Sequence, residues 1–427
     1  MPACIQGLFS SDTKYFPYEL EKSLPYSAIK ASYRCSAKIS NFYLPEIFPD
    51  NPDSKSIFSG HPQQELIPMP TMKIRGGDLD LVEYEFNPFP PGQNLKTLGY
   101  EKTTYPLKPV KGKITVKAPA RIHLTVLDMN RFAPDHPGGG GIGFAIQIYC
   151  TAEVECTKKE TKIDYNRASI IHNYVAVFKK VTGYTGGFTI KATDHQHQHV
   201  GLGSTSTIMI AVATAMNEAV GKPLTNDQVR KLIGNNYVEE TADGNIAFGF
   251  ETGVGPAVST HGGMAVLGDE LTLVYHHPFA VGKNVFIIIP PTDISSAGTQ
   301  EFDLLMNKAR TLDYIDRELK AYLFLMDLIP ALERDDVKKA GDVIWEIEFR
   351  GSKRAEVEHH SYAIYNFMSQ LREARLEFVG MSSVGPSIAV VTALDRTALE
   401  KILNPLRLTI AIETKVDNEG LKISHSK

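Results

Sequence analysis

The chain has 427 residues, of which 43% are hydrophobic and 22% are charged, and its formal net charge is −4. This length predicts two or three domains with a sizeable core, since one domain takes roughly 100 to 200 residues. The charge balance excludes the strong basic field of a nucleic-acid-binding protein, and no apolar run approaches the roughly 18 residues of a membrane span.

The N-terminus and the cysteines indicate the compartment. The first residues, MPACIQGLFSSDTKYFPYEL, lack a charged region followed by an apolar one, so no secretory signal is predicted. The four cysteines form no CxxC pair, which favours a reduced, cytoplasmic protein. Cys150 and Cys156 fall in one predicted strand, where we expect packed thiols rather than metal ligands.

Residues 1–110 differ from the rest of the chain. They are rich in proline and aromatic residues and end in FNPFPPGQNLKTLGYEKTTYPLKPVKG, a run without clear periodicity. This composition predicts either a linker or an arm wrapped over the main body, and we expect the arm to cover an edge of it. Within the segment, residues 73–86 (KIRGGDLDLVEYEF) predict a turn followed by an alternating strand.

Strands and helices follow from Gly112 onward. KITVKAPARIHLTVLDM alternates as a strand pair would, and GIGFAIQIYCTAEVECTK predicts a long strand. ASIIHNYVAVFKKVTG and STSTIMIAVATAMNEAVG have helical spacing, and each ends at a glycine. Thr225 and Gln228 have the spacing of a capping box at the start of the next helix. GGMAVLGDELTLVYHHPF predicts a hairpin, and KNVFIIIPP predicts a buried strand.

A second, more helical half comes next. Residues 300–350 are helical by period, and SYAIYNFMSQLREARLEFVG predicts a helix that ends at a glycine. SIAVVTAL predicts a strand, ALEKILNPL a helix and LTIAIETKVD the final strand. Because strands and helices do not alternate strictly, the predicted class is α+β in two lobes. We place an N-terminal extension at 1–110, a first lobe at 111–290 and a second lobe at 291–427.

A glycine-rich stretch, HVGLGSTS, stands directly before one of the predicted helices. A helix N-terminus presents unpaired backbone N–H groups and partial positive charge, so it attracts phosphate. Gly201 and Gly203 would let the backbone curl around an anion, and Ser204 and Thr205 could donate hydroxyls to it. A plain helix cap with a tight turn is the alternative. Neither a Walker loop nor a dinucleotide fingerprint is present.

Two further stretches carry small or chemically active residues. KAPARIHLTVLDMNRFAPDHPGGGGIGFAI places Arg121 and His123 on one strand and Asp128 in the loop that follows. GMSSVGPSIAVV forms a tight loop between a helix and a strand. The stretches APAR, HVGLGS and GMSSVGP, in this order and spacing, resemble the three motifs of the GHMP kinase superfamily. They resemble the beta-ribofuranosylaminobenzene 5'-phosphate synthase family more closely, because the kinases usually have a proline where this chain has His199.

This resemblance implies a fold and a reaction. It implies a GHMP-type fold, in which a lobe like ribosomal protein S5 domain 2 precedes a ferredoxin-like lobe, with the ligand between them. It also implies that phosphoribosyl diphosphate condenses with a para-substituted benzoate, 4-aminobenzoate or 4-hydroxybenzoate, with loss of CO2 and diphosphate, in methanopterin-type pterin biosynthesis. Mg2+ and no organic cofactor are expected, and members of the family are often homodimers. The arginine-bearing GRG stretch of the family is replaced here by FGFETG (248–253).

The resemblance also implies roles for particular residues. The catalytic candidates are Arg121, His123 and Asp128, and the phosphate-binding candidates are His199, Gly201, Gly203, Ser204, Thr205, Ser382, Ser383 and Gly385. Arg121 and His123 would neutralise an anion or donate to it, and Asp128 would contact magnesium or orient a basic partner. The alternatives are a strand-edge ion pair for Arg121, a structural role for His123 and a turn cap for Asp128.

Other interpretations remain open. The second candidate function is an ATP-dependent small-molecule kinase, and the third is a non-catalytic binding protein on the same scaffold. His195, His197 and His199 alternate and could bind zinc, but we expect an exposed polar strand there; the metal ligands stay unknown. Lys353 and Arg354 could form a basic pair that faces the substrate, but we expect them on a solvated face. We expect His359 and His360 on the surface of a helix.

Overall fold

The computed structural model of the chain gives a fold for most of the sequence. It describes residues 87–131, 133, 135–197, 200–241, 243–291, 304–360 and 362–426. The strand predicted over residues 73–86 therefore lies outside the described residues, as does most of the N-terminal extension.

The described elements alternate irregularly between strand and helix. The strands are β1 (Lys113–Val126), β2 (Gly141–Thr157), β3 (Lys162–Asp164), β4 (Gly187–Thr193), β5 (Val238–Glu240), β6 (Ile246–Phe248), β7 (Met264–Leu267), β8 (Leu273–His277), β9 (Asn284–Ile288), β10 (Phe378–Met381), β11 (Ile388–Thr392), β12 (Ile410–Thr414) and β13 (Lys422–Ser426). The α-helices are α1 (Ala168–Thr182), α2 (Ser204–Ala219), α3 (Asn226–Asn235), α4 (Val254–His261), α5 (Arg310–Leu323), α6 (Ile329–Glu333), α7 (Val337–Ile347), α8 (Gly351–His359), α9 (Tyr362–Glu373) and α10 (Arg396–Leu403). Two π-helical turns, Leu304–Ala309 and Phe324–Leu328, continue α5 at its two ends.

A seven-stranded sheet is built around the antiparallel pair β1 and β2. Its strand order is β13-β1-β2-β4-β3, and β7 and β8 extend it from β2. The stretch that alternates as a strand pair is in fact the single strand β1, and its partner is β2. From Ala118 onward almost every side chain of β1 is buried, because the strand is covered on both faces in this half.

A four-stranded antiparallel sheet has the order β10-β11-β9-β12. β9 joins this sheet although it precedes residue 290, and β13 returns to β1 in the first sheet although it is near the C-terminus. Two strands therefore cross the predicted boundary between the lobes. The expectation that LTIAIETKVD is the final strand is wrong, because β13 follows it.

Most helix ends lie where the sequence predicts them. α1 ends at Gly183, which has φ 73°, and Gly221 with φ 93° follows the end of α2. At α3 the Thr225 hydroxyl accepts from the Gln228 N–H, and the Gln228 side chain accepts from the Thr225 N–H, which confirms the capping box. One prediction is wrong: α9 already ends at Glu373, and its presumed glycine stop, Gly380, lies inside strand β10.

The last part of the N-terminal extension packs on the main body. The Phe89 N–H donates to the Ile246 carbonyl at 2.8 Å, and the Ile246 N–H donates back at 3.0 Å. Further along, the Val110 N–H donates to the Ala219 carbonyl at the end of α2. Residues 87–110 therefore pack on the main body, as the arm interpretation expects. No helix in the described part of the chain is both long enough and apolar enough to cross a bilayer.

Charged side chains are buried on α5, on α8 and directly after α7. Lys320 pairs with Asp313, and Lys353 pairs with Glu356 at 2.6 Å. Glu348 accepts the Met381 N–H through Oε1 at 2.8 Å, while its Oε2 is buried without a hydrogen-bond partner among the described residues. Burial raises the pKa of Glu348 to about 8. This carboxyl group is therefore mostly protonated at neutral pH.

We expect Glu348→Gln to flatten the pH dependence of stability. In the unfolded chain a glutamate titrates near a pKa of about 4.3, so between that value and the folded pKa of about 8 the folded state binds more protons. The free energy of unfolding of the wild type therefore falls as the pH rises through this window, by up to about 1.4 kcal/mol per pH unit from this group. The variant lacks this contribution and should be more stable than the wild type above the window.

Urea unfolding across that pH range measures the effect. Glu346→Gln is the matched control, because Glu346 lies on the same helix but forms an exposed pair with Arg350. The control should keep the slope of the wild type. An unchanged slope in Glu348→Gln would contradict the assignment of a protonated core carboxyl.

Candidate active site

The glycine-rich loop leads directly into the N-terminus of α2. Gly203 is the N-cap residue with φ 68°, and Gly201 has φ 85°, a backbone region that favours glycine. A Cβ added at Gly203 would stand 2.7 Å from Nε of Arg121, and one added at Gly201 would collide with the Ser382 carbonyl. Both positions therefore require glycine for conformation and for close approach.

The carbonyl oxygen of Gly201 joins three separate segments. It accepts a hydrogen bond from Nη1 of Arg121 on β1 at 2.7 Å and one from the Ser382 hydroxyl at 2.7 Å. The backbone of His123 completes the connection: its N–H donates to Ser382 Oγ at 3.1 Å, and its carbonyl accepts from the Ser383 N–H at 2.7 Å. The structure thus brings together five of the predicted site residues.

The His123 side chain is buried and uncharged at neutral pH. Burial, the Arg121 guanidinium and the Lys353 ammonium together hold its pKa well below the usual value. Its Nε2 lies 3.3 Å from the Thr252 hydroxyl. Of the two predicted roles, donating a hydrogen bond to an anion is compatible with this environment, whereas neutralising an anion is not.

A cleft with a cavity volume of about 200 Å3, open to solvent, lies against these residues. Small-molecule sites are concave and combine an apolar lining with a few polar groups, as this cleft does. Arg121, His123 and Ser383 line it, together with Ser206 from the first turn of α2. The apolar lining comes from Val126, Met129, Phe250, Leu305 and Val384.

Three carboxylates that the sequence analysis missed also line the cleft, those of Glu239, Glu251 and Glu356. Glu251 accepts the Gly253 N–H at 2.7 Å at the start of α4, and burial raises its pKa although this hydrogen bond and Arg121 oppose the shift. Glu239 accepts from the Tyr237 hydroxyl at 2.5 Å. A sequence signal for Glu251 is present in FGFETG: this acidic residue stands two positions before Gly253, the N-cap glycine of α4.

The hydroxyl groups of Ser204 and Thr205 do not line the cleft. Ser204 is partly exposed, and the Thr205 hydroxyl accepts a hydrogen bond from Nη1 of Arg167 at 2.7 Å. Ser206, one position further on, lines the cleft instead. His199 lies outside the described residues, so its role remains a prediction.

The loop after β10 is held from two sides. Ser382 is fully buried, and the Ser383 carbonyl accepts from Nζ of Lys353 at 2.8 Å. Gly385 has φ 90°, and a Cβ there would stand 2.7 Å from the sulfur of Met381 and 3.0 Å from the His360 ring. The expectation of a solvated Lys353 is wrong, and so is that of a surface His360, because both side chains are buried against this loop.

Asp128 does not line the cleft. Its Oδ1 accepts from the backbone and side-chain N–H groups of Asn130 at 2.9 and 3.0 Å, and its Oδ2 is 3.5 Å from Arg317. These contacts match the alternative of a turn cap. A catalytic or magnesium-binding role for Asp128 remains a prediction that no contact in the cleft supports.

Residues 194–197 of the histidine-rich stretch, which the structure describes, do not form a strand. β4 ends at Thr193, and His195 is buried with its Nδ1 accepting from the His197 N–H at 3.2 Å. Burial lowers the pKa of His195 to about 4. Among the described residues, which leave out His199, no group of three histidine, cysteine or acidic side chains could hold a metal ion.

Comparisons with known proteins agree with this geometry. Residues 169–251 match the GHMP kinases N terminal domain. The chain is 26% identical over 335 residues to beta-ribofuranosylphenol 5'-phosphate synthase of Archaeoglobus fulgidus, covering 73% of this chain and 99% of that protein. The protein of the same name from Methanothermobacter thermautotrophicus is 29% identical over 120 residues, covering 28% of this chain and 36% of that one.

Solved structures share the fold. Mevalonate diphosphate decarboxylase from Staphylococcus aureus superposes with a TM-score of 0.53 at 16% identity, over 74% of this chain and 98% of that one. Homoserine kinase from Cytophaga hutchinsonii gives 0.52 at 14% identity, over 74% and 99% of the two chains. The α+β class, the GHMP-type fold and the predicted resemblance to the synthase family are thereby confirmed.

Gly203→Ala is expected to weaken anion binding at the start of α2. The added methyl group would displace Arg121, whereas Gly183→Ala puts the same methyl group on a similar backbone, φ 73°, with nothing within 4 Å. Both variants carry a comparable backbone strain of about 1–2 kcal/mol, so their difference isolates the contact with Arg121. Calorimetric titration with inorganic diphosphate should show a Kd raised about 10-fold or more in Gly203→Ala only. Equal affinities in the two variants would refute this role of the loop.

Proposed function

Because this chain carries a GHMP kinases N terminal domain and is similar to beta-ribofuranosylphenol 5'-phosphate synthases over most of its length, we propose that it is a phosphoribosyl-transferring synthase. It would condense phosphoribosyl diphosphate with 4-hydroxybenzoate or 4-aminobenzoate, releasing CO2 and diphosphate, in methanopterin-type pterin biosynthesis. The observation that supports this best is a single cleft that combines anion-binding groups with an apolar lining. We expect it to act in the cytoplasm without an organic cofactor.

The anion-binding part of the cleft suits the diphosphate. The N-terminus of α2 offers unpaired N–H groups and partial positive charge, and Arg121 adds a full positive charge beside it. Charge develops on the diphosphate as its bond to C1 of the ribose breaks, and preorganised donors stabilise this charge. His123 can add a neutral hydrogen-bond donor, because its ring is uncharged.

The apolar part of the cleft suits the benzoate ring. Met129, Phe250 and Leu305 provide surface for an aromatic ring and keep water from the cationic C1. In the proposed reaction the ring carbon that bears the carboxylate bonds to C1 as the C1–oxygen bond breaks. The bond to the carboxylate then breaks, CO2 leaves, and the electron pair of that bond restores the aromatic ring.

Magnesium is proposed to arrive with the substrate. Glu239, Glu251 and Glu356 are each already engaged, by Tyr237, the Gly253 N–H and Lys353. The carboxylates described in the cleft therefore do not fit a preformed Mg2+ site. Mg2+ typically keeps several waters and binds through substrate phosphates, so the diphosphate oxygens would hold it here.

An ATP-dependent small-molecule kinase is the second candidate. The observation in its favour is the loop at α2, because a glycine-rich helix N-terminus accepts the phosphates of a nucleotide as readily as a diphosphate. The two candidates differ in the ligand that the folded protein binds.

Thermal unfolding with added ligands separates the two. Phosphoribosyl diphosphate with Mg2+ should stabilise the protein by about 2.7 kcal/mol at a concentration 100 times its Kd, since a ligand of the folded state alone stabilises by RT ln(1 + [L]/Kd). Release of CO2 from 4-hydroxybenzoate or 4-aminobenzoate should then follow. Stabilisation by ATP alone, with no effect of phosphoribosyl diphosphate, would overturn the synthase in favour of the kinase.

Arg121→Lys should lower kcat/KM for phosphoribosyl diphosphate by about 100-fold. Lysine keeps the positive charge, but its ammonium group lacks the planar guanidinium of arginine. The guanidinium of Arg121 donates a hydrogen bond to the Gly201 carbonyl, and the same side chain lines the cleft. Arg354→Lys is the control, because Arg354 is exposed on α8 and pairs with Glu358. Equal kcat/KM of the two variants in a steady-state assay would show that Arg121 has no role in the reaction.

A further inference from the structure

Glu356 differs in its contacts from the other two carboxylates of the cleft. Glu239 accepts a hydrogen bond from the Tyr237 hydroxyl, and the partner of Glu251 is the Gly253 N–H. Glu356 lines the same cleft and is only 2% exposed. Its Oε2 is buried without a hydrogen-bond donor among the described residues. Because a buried carboxylate oxygen normally accepts a hydrogen bond, this oxygen is available to a donor on a ligand in the cleft.

Lys353 balances the charge of Glu356 but leaves its hydrogen bonding incomplete. Nζ of Lys353 lies 2.6 Å from Glu356 Oε2, which is the distance of an ion pair without the geometry of a hydrogen bond. The same ammonium donates to the carbonyls of Met381 and Ser383, at 3.2 and 2.8 Å. Burial raises the pKa of Glu356 although Lys353 opposes the shift, so this carboxylate is a stronger base than an exposed one.

Glu356 stands at the apolar end of the cleft. The preceding residue, Ala355, packs in one buried cluster with side chains that line the cleft, namely Val126, Met129, Leu305 and Val384. Glu251 belongs to the other end, because Arg121 is close enough to lower its pKa. An aromatic ring that packs on the apolar side chains would therefore have Glu356 as its neighbouring carboxylate.

We propose that Glu356 accepts the proton of the para substituent of the aromatic acceptor. This inference rests on the proposed function, in which the ring carbon that bears the carboxylate bonds to C1 of the ribose. That carbon is para to the hydroxyl or amino group, so electron density released from this group makes it a better nucleophile. With a hydroxyl group, the O–H electron pair becomes the second bond between oxygen and ring, and the proton moves to Glu356.

The proton returns in the second half of the reaction. When the bond between the ring and the carboxylate breaks, CO2 leaves, and the electron pair of that bond restores the aromatic ring. The negative charge then lies on the para oxygen, to which Glu356 gives the proton back. The reaction therefore takes no proton from solvent, and a base that holds the proton only in between can be as enclosed as Glu356 is.

Glu356→Gln tests this role in a steady-state assay with 4-hydroxybenzoate. Glutamine keeps the shape of the side chain but cannot take the proton, so kcat should fall by about 100-fold or more. The KM for phosphoribosyl diphosphate and the thermal stabilisation by this ligand should stay as in the wild type. Glu358→Gln is the matched control, because Glu358 lies on the same helix, does not line the cleft and pairs with Lys308 and Arg354. It should keep the kcat of the wild type.

A second comparison needs only the wild type, and it decides the question if Glu356→Gln does not fold. The acceptor 4-methoxybenzoate has no proton on its para oxygen, so it should compete with 4-hydroxybenzoate but release almost no CO2. Equal rates of CO2 release from the two acceptors would overturn the role of Glu356, and so would an unchanged kcat in Glu356→Gln. A wild type that releases no CO2 from either hydroxybenzoate or aminobenzoate would instead overturn the proposed reaction, and this role with it.

Discussion

The carbonyl oxygen of Gly201 is the point on which the site depends. A carbonyl oxygen has two lone pairs, and here Arg121 and Ser382 each donate to it. One donor comes from the strand at the centre of the first sheet and the other from a loop of the second sheet. Because both loops of small residues meet at this atom, the distance between the two halves of the site is set by hydrogen bonds of 2.7 Å.

Buried charged side chains stabilise the loop after β10 that contacts Gly201. Lys353 donates to the Met381 and Ser383 carbonyls and pairs with Glu356, which itself lines the cleft. Removing one partner of a buried pair leaves an uncompensated charge, so such a group tolerates little change. The loop after β10 is thus fixed between the Lys353 ammonium on one side and the Gly201 carbonyl on the other.

Local signals in the sequence predicted the local structure well. The capping box of α3, the glycine ends of α1 and α2, and the two loops of the site each depend on residues close together in the chain. Pairing between distant segments was not readable in this way. The sequence does not state that β13 returns to β1, because that pairing depends on the completed sheet.

Burial of polar residues was the other source of error. Lys353, His195 and Glu251 carry side chains that are usually exposed, and only the surrounding fold shows that they are enclosed. Motif resemblance found Arg121, His123 and the glycines, because close backbone approach restricts the residue type. The carboxylates of the cleft have no such restriction, and they became visible only through their contacts with Tyr237, Gly253 and Lys353.

The return of β13 to β1 has a consequence for how the protein is made. Lys113 pairs with Ser426, a partner 313 positions later in the chain. During translation the edge of β1 over Lys113–Lys117 therefore stays unpaired until β13 has been synthesised, although β2 is available on the other side early. An unpaired strand edge is a template for pairing with other chains. The first five residues of β1, Lys113–Lys117, therefore remain open to such pairing until synthesis of the chain reaches β13.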